Sequence, residues 1–257
     1  MTRTYRVASP RLGRRPGTPE HHAVRIWQEL LNEHGLQAQI NGVYEKDTER
    51  AVRAFQSRRG MPASGRIDYP TARALLERTI RREAAAVGMS PDLLCGHLDL
   101  ESRLDPAAVG PTGDDLGLGQ ILMGRWNPGV GIEEALDEDF AIQYMARRDM
   151  SAYQGFGDWR IAVFDYNYPV GAHDWKRTGR PSSRGISYSN KVFRGCSGPE
   201  FPGEPVATVP VPNDRQAARK SAADLGRWLD GLLTSLGSDW EMSGSREDVN
   251  RPRKRSH

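Results

Sequence analysis

Long apolar runs are missing from this sequence. No window approaches the ~20 apolar residues of a membrane-spanning helix, which argues against a helical membrane protein. Cysteine is almost absent, with Cys95 and Cys196 the two in 257 residues. Neither has a CxxC partner or a metal-ligand spacing, which excludes a disulfide-stapled scaffold and a zinc cluster. The basic N-terminus has no apolar segment behind it, so no secretory signal peptide is expected, and both thiols are expected to be reduced. A basic folded face is lacking too. The net charge is +3, but residues 1–16 hold five Arg and residues 251–257 three Arg and one Lys, without any acid. Residues 17–250 then carry 27 basic against 33 acidic side chains, a net −6. Nucleic acid is therefore not the expected partner, because its recognition needs positive charge gathered on a folded surface.

What is present is helical pattern broken by glycine and proline. Val24, Trp27, Leu30 and Leu31 predict a helix over 21–36 that stops at Gly35. Asn41-Gly42 marks a turn. Asp47 or Thr48 can cap a second helix carrying Ala51, Val52 and Phe55 and ending at Gly60. Gly65 supplies another turn, and Pro70 fits the first turn of a third helix with Ala72, Leu75 and Leu76. Three short helices around one small core are just large enough to fold alone.

The stretch VRIWQELLNEHGLQAQINGVYEKDTERAVRAFQSRRGMPASGRIDYPTARAL resembles the peptidoglycan-binding domain type 1 family. The resemblance rests on Leu30-Leu31, Asn41-Gly42, Thr48, Ala51-Val52-x-x-Phe55-Gln56, Gly60 and Gly65-x-x-Asp68. It implies a three-helix module over residues 21–78 with peptidoglycan as its partner. Most of the matching residues build core or turns, so they identify a fold more than a set of ligand contacts.

From Thr79 the helical pattern resumes. Ser90-Pro91-Asp92 is a strong start: a cap, a proline at the first position and an early acid. Helices are expected at about 133–155 and 158–166. GPEFPGEPVATVPVP within 198–213 is a semi-extended connector. Leu225, Trp228, Leu229, Leu232, Leu233 and Leu236 form an amphipathic stripe over 214–237, which would dock on the body, self-associate or lie on a membrane surface. The basic segments 1–20 and 238–257 have the composition of flexible tails. The expected fold class is mainly α: a three-helix domain, an α-rich domain over 79–197 and the C-terminal amphipathic helix.

The most informative stretch is DLESRLDPAAVGPTGDDLGLGQI, residues 99–121. Placed at 100° per residue, Glu101 falls on the same helix face as Leu94, His97 and Leu98. Burial beside leucines favours the protonated carboxyl, the state a proton donor to a glycosidic oxygen needs. The plain alternative is a helix-end glutamate that reaches solvent or pairs with Arg103.

Glu101-Ser102, Gly117-Leu118-Gly119-Gln120-Ile121, the Gly157-Asp158-Trp159 turn, Tyr166-Asn167 and Tyr188 together resemble the SLT-type lytic transglycosylases, a lysozyme-like family. These ordered motifs, spread over roughly residues 80–195, carry the resemblance. It implies Glu101 as the single catalytic acid, a cleft shaped by Gly117, Leu118, Gln120 and Ile121, and Tyr166, Asn167, Tyr188 and Ser102 around sugar or acid. It calls for no cofactor and no metal. Two departures stand out: Gly119 replaces the family's Met, and Tyr168-Pro169 makes the loop after Asn167 bulkier.

The resemblance implies cleavage of the bond between N-acetylmuramic acid and N-acetylglucosamine, with a 1,6-anhydro ring as product. Hydrolysis by a goose-type-lysozyme-like muramidase is the alternative; it needs a second carboxylate to hold water, and Asp115 or Asp114 is placed in the sequence to do so. Loop aspartates also serve as turn-makers. A third reading keeps the fold as a non-catalytic wall-binding or phage tail protein. Without a signal peptide, the expected setting is a phage endolysin or virion-borne lysin, monomeric, acting on the wall after release.

Overall fold

Thr18 Oγ1 accepts from the His21 backbone N–H at 3.3 Å and Pro19 follows, so helix α1 (Pro19–Glu33) starts two residues ahead of its sequence-predicted position. The structure, a computed structural model, describes residues 17–124 and 127–195. Cys196, most of the basic N-terminus, the proline-rich connector, the amphipathic helix at 214–237 and the C-terminal tail lie outside the described residues.

The second helix, α2 (Lys46–Arg58), has Glu45 at its cap position and no side-chain cap bond. The Asp47 and Thr48 caps expected from sequence are not formed, because both side chains have other partners. Asp47 accepts from the Gln39 backbone N–H at 2.9 Å, and buried Thr48 accepts from Gln28 at 2.9 Å.

Gln28 belongs to a pattern that occurs twice. Its Oε1 accepts from Gly42 N–H at 2.9 Å, while its Nε2 reaches Asn41 Oδ1 at 3.0 Å, Val43 O at 3.1 Å and Thr48 Oγ1. Gln56 repeats the set on the next turn. It accepts from Gly65 N–H at 2.9 Å and reaches Ser64 Oγ at 3.1 Å, Arg66 O at 2.8 Å and Thr71 Oγ1 at 3.0 Å. Both glutamines are buried, so each replaces the water its turn would otherwise need. Two aligned octapeptides carry the repeat, NGVYEKDT and SGRIDYPT. Tyr44 and Ile67, at matching places, are fully buried, and the Tyr44 hydroxyl donates to Gly65 O at 2.8 Å.

Asp68 caps α3 (Tyr69–Val87) through Thr71 N–H, and Gly88 ends it in the left-handed region. This helix is ~28 Å long at 1.5 Å per residue and serves both halves of the molecule. Near its middle His34, just past α1, brings Nε2 to 3.4 Å from Leu75 O, and further on Thr79 and Arg82 bond Asp139 while Glu83 bonds Gln143. The domain division expected between residues 78 and 79 therefore falls inside a continuous helix, and the buried core runs unbroken from Val24 to Val192.

Beyond α3 come α4 (Pro91–Ser102), with Ser90 as the expected cap, then a loop holding the antiparallel ribbon β1 (Asp115–Leu116) and β2 (Ile121–Leu122). The single helix predicted from 133 is divided into α5 (Ile132–Leu136) and α6 (Glu138–Phe156), because Asp137 leaves helical geometry and accepts from Phe140 N–H at 2.7 Å. α7 (Trp159–Asn167) comes next. Two more helices, α8 (Pro169–Thr178) and α9 (Ser183–Gly195), have too few buried apolar positions to declare themselves by periodicity. The described chain is thus mainly helical, as expected.

α9 lies close along α4. A Cβ at Gly195 would come 2.9 Å from Gly96 Cα, so this pair of glycines sets the helix approach. Across α3, Thr79 and Arg82 both bond Asp139, and Gln143 donates to Glu83 at 3.1 Å, fixing α6.

His22 of α1 joins the first three helices to α5. Its Nε2 lies 3.0 Å from Leu136 O, which can only accept, so Nε2 carries the hydrogen. Burial lowers its pKa to about 4 from 6.5, with Arg25 and His21 adding to the fall against the Leu136 bond. The folded state then binds a proton less readily than the unfolded one. This contribution to stability is intact above pH 6.5 and is lost as pH falls towards 4, amounting to about 3 kcal/mol. Denaturant unfolding at pH 7 and at pH 4.5 should show a smaller acid loss in His22→Gln, whose amide can keep the bond to Leu136. An acid loss equal to wild type would remove His22 as its source.

Candidate active site

Glu101 stands in the last turn of α4, on the face it shares with Leu94, His97 and Leu98, and keeps one-sixth of its side chain exposed. Tyr188 of α9 donates its hydroxyl to Glu101 Oε1 in a short hydrogen bond. Arg103 does not pair with Glu101. It folds back on Asp99 at 2.8 and 3.0 Å and lies over the Tyr69 ring.

The chain leaves α4 through two left-handed residues that are not glycine, Arg103 (φ 61°) and Leu104 (φ 60°). Gln120 (φ 47°) is the other such residue among those described, and it closes the same loop. Left-handed backbone without glycine is costly and persists only where surroundings impose it. Here the fully buried Leu104 anchors one end, and the Gln120 amide anchors the other by donating to Ala108 O at 3.2 Å and Gly117 O at 3.1 Å.

The remaining motif residues divide into those that shape the loop and those that face Glu101. Leu118 and Ile121 are buried in the core, and Gly117 (φ 69°) passes so close to α5 that a Cβ would sit 2.0 Å from Ala135 O. Ser102 is buried, and its hydroxyl donates back to Leu98 O at 3.1 Å. Tyr166 donates to Gly119 O at 2.7 Å, and a Cβ on Gly119 would come 3.4 Å from that hydroxyl, so glycine in place of the family's Met leaves room for it. Burial, then the Glu101 charge, push the phenols of Tyr166 and Tyr188 well above their ordinary value, so both remain hydrogen-bond donors.

Asn167 ends α7, and its Oδ1 accepts from Arg184 at 2.7 and 3.2 Å. The bulky loop after it is a tight junction in which Pro169 opens α8 and Arg184 covers Tyr168. Of the two loop acids, Asp114 accepts from Thr112 in a turn of its own. Asp115 lies against Gly110, where a Cβ would approach its Cβ to 2.7 Å.

Two residues behind Glu101 complete the arrangement. His97, seen in the sequence as a neighbour without a role, is fully buried with Nε2 2.8 Å from the Tyr188 hydroxyl and 4.0 Å from Glu101 Oε1. Its Nδ1 lies 2.7 Å from Oδ2 of Asp149, a carboxylate of α6 also wholly buried. Asp149 escaped sequence reasoning, although a signal existed: it extends the apolar stripe Ile142, Met145, Ala146 by one more helical step.

A cavity of about 750 Å³ lies beyond Tyr166, lined by Phe140, Tyr144, Arg148, Asp165, His173 and Lys176 among others. Glu101 does not line it. The two adjoin through Tyr166, whose ring carries the Arg148 guanidinium at 5.7 Å. Glu101 is instead the point where a partly exposed carboxyl meets the buried hydrogen-bond chain.

No curated protein matches the chain. Residues 20–75 match the family described as putative peptidoglycan binding domain, which supports peptidoglycan as the partner of the three-helix part with its paired glutamine clamps.

Proposed function

We propose that the protein cuts the glycan strands of peptidoglycan as a lytic transglycosylase, held to its insoluble substrate by the unit at 20–75. The observation that carries this reading is the Glu101 carboxyl, partly exposed at the end of α4 and bonded through Oε1 by Tyr188. Glu101 gives its proton to the oxygen between N-acetylmuramic acid and N-acetylglucosamine, and the C1–O bond breaks with its electron pair on that oxygen. The resulting carboxylate takes the proton of the muramoyl C6 hydroxyl as O6 bonds to C1. The 1,6-anhydro ring is closed, and Glu101 is protonated again. One carboxylate suffices because the nucleophile belongs to the substrate. Tethering raises the local substrate concentration without adding any contact at Glu101.

In this reading the biological setting is lysis from within or entry from without: a phage endolysin or a virion-borne lysin. Muropeptides released from purified walls test the chemistry, and the expected products are lighter by one water than hydrolytic ones. Reducing ends in their place would make the protein a muramidase and bring Asp115 forward as the residue that holds water. Binding without release of any muropeptide would leave a wall-binding protein.

A further inference from the structure

The chain Asp149–His97–Tyr188–Glu101 is joined by three consecutive hydrogen bonds, and its hydrogens can be counted. Tyr188 has a single hydroxyl hydrogen. If it goes to Glu101 Oε1, His97 Nε2 must donate to the Tyr188 oxygen. Nδ1 faces a carboxylate and must donate as well, so the ring carries both protons. The reverse order, with Glu101 donating to Tyr188 and Tyr188 to a neutral ring, uses up the very proton that catalysis requires. It also leaves Asp149 poorly compensated. That carboxylate is fully buried, its Oδ1 has no hydrogen-bond partner, and His97 is its one hydrogen-bonded neighbour among the described residues. A buried carboxylate in that position calls for a cation beside it.

We propose that His97, held as an imidazolium by Asp149, acts through Tyr188 as a positioning group for Glu101: it commits the phenol hydrogen to Oε1, so that the transferable proton sits on Oε2. The role of Glu101 here rests on the function proposed above. The same chain strengthens when Glu101 becomes a carboxylate, because each bond is then charge-assisted. Proton donation is thereby eased without a second acid at the substrate.

The surroundings agree with a charged ring. Asp149 faces it from α6, Glu101 from its own helix, Tyr166 of α7 edge-on at 5.0 Å and Tyr188 of α9 edge-on at 5.8 Å. The Arg148 cation lies beyond Tyr166, next to Asp165, and α3 reaches α4 at Asp92 and Arg103 through Arg73 and Tyr69. Burial lowers the His97 pKa, but Asp149, by charge and by hydrogen bond, and then Glu101 outweigh it, and the net direction is upward.

NMR of the ring nitrogens in the full-length protein tests this without any reaction. Both nitrogens of His97 should be protonated at pH 7, where an ordinary histidine is mostly neutral. Tyr188→Phe decides the direction of the chain. If Nε2 donates to Tyr188, removing the acceptor lowers the His97 titration by about one pH unit. If Tyr188 donates to Nε2, the titration rises, and the proposal is overturned. In cleavage of soluble glycan fragments, His97→Gln should lower kcat with KM retained. It should also move the alkaline limb to higher pH, because no imidazolium then favours the carboxylate form of Glu101. Lower activity with an unmoved limb would mean that His97 only packs. A charged ring in a protein that cleaves no glycan would sink the proposed activity and leave the charged chain standing. A neutral ring in an active enzyme would do the opposite.

Discussion

Glu101→Gln is expected to reduce glycan cleavage by about 10²–10⁴-fold, the usual contribution of general acid–base catalysis, while binding to purified walls stays unchanged. Gln fills the same space, and its Oε1 can still accept from Tyr188, so the end of α4 and the approach of α9 should survive. What it loses is the transferable proton on the other oxygen. Clearing of a wall suspension measures the first effect and co-sedimentation with walls the second. Equal clearing by variant and wild type would mean that Glu101 is not the acid. The parallel variant Asp115→Asn separates the two mechanisms. A transglycosylase should keep most of its rate, since that side chain lies against Gly110, whereas a water-holding Asp115 would make the loss comparable to that at Glu101.

The parts of this protein that were legible in its sequence are those governed by local rules. Ser90-Pro91-Asp92 announced α4, the 3.6-residue period announced α1 to α3, and the shared face of Leu94, Leu98 and Glu101 was correctly projected. The peptidoglycan-binding unit was also legible, because its signature residues are turn and core residues whose spacing is fixed by the fold. Its internal repeat was harder to see. Gln28 and Gln56 lie at unequal distances from the turns they clamp, and only the hydrogen bonds align them.

Long-range relations were the least legible. Nothing local distinguishes a helix that serves one domain from one that serves two, so the division placed at 78/79 fell inside α3. α8 buries only Ala172, and α9 spaces its three buried residues with glycine and serine among them, so neither shows an apolar stripe. The chain behind Glu101 draws one residue each from α6 and α9 and two from α4. Asp149 and His97 are separated by 52 positions and Tyr188 and Glu101 by 87, and only tertiary packing brings them together. The motif residues Leu118, Ile121 and Ser102 also changed character. In the structure they hold the loop and the helix end in place, and Tyr188 and Tyr166 are the ones that approach the acid.

Gly117→Ala should be the more damaging of two changes that look alike in sequence. Gly113 and Gly117 both lie in the loop and both have left-handed backbone, with φ of 86° and 69°. An L-residue there costs roughly 1–2 kcal/mol from backbone conformation alone. At Gly113 nothing lies within 4 Å of a new Cβ, so that cost should be the whole effect. At Gly117 the new carbon would meet Ala135 O at 2.0 Å and the Leu136 Cα at 3.4 Å. These are backbone atoms of α5 that cannot rotate away, and the loop cannot withdraw easily either. Gly117 N–H is bonded to Ala108 O at 2.9 Å, its carbonyl accepts from Gln120, and Leu116 and Leu118 on either side are buried. The expected loss for Gly117→Ala is therefore about 3 kcal/mol or more, within the range of severe core substitutions, against about 1 kcal/mol for Gly113→Ala. Denaturant unfolding of the two variants side by side measures the difference. Equal losses would show that the loop yields at Gly117, and with it the claim that this glycine fixes the distance between the Glu101 loop and α5 would fail.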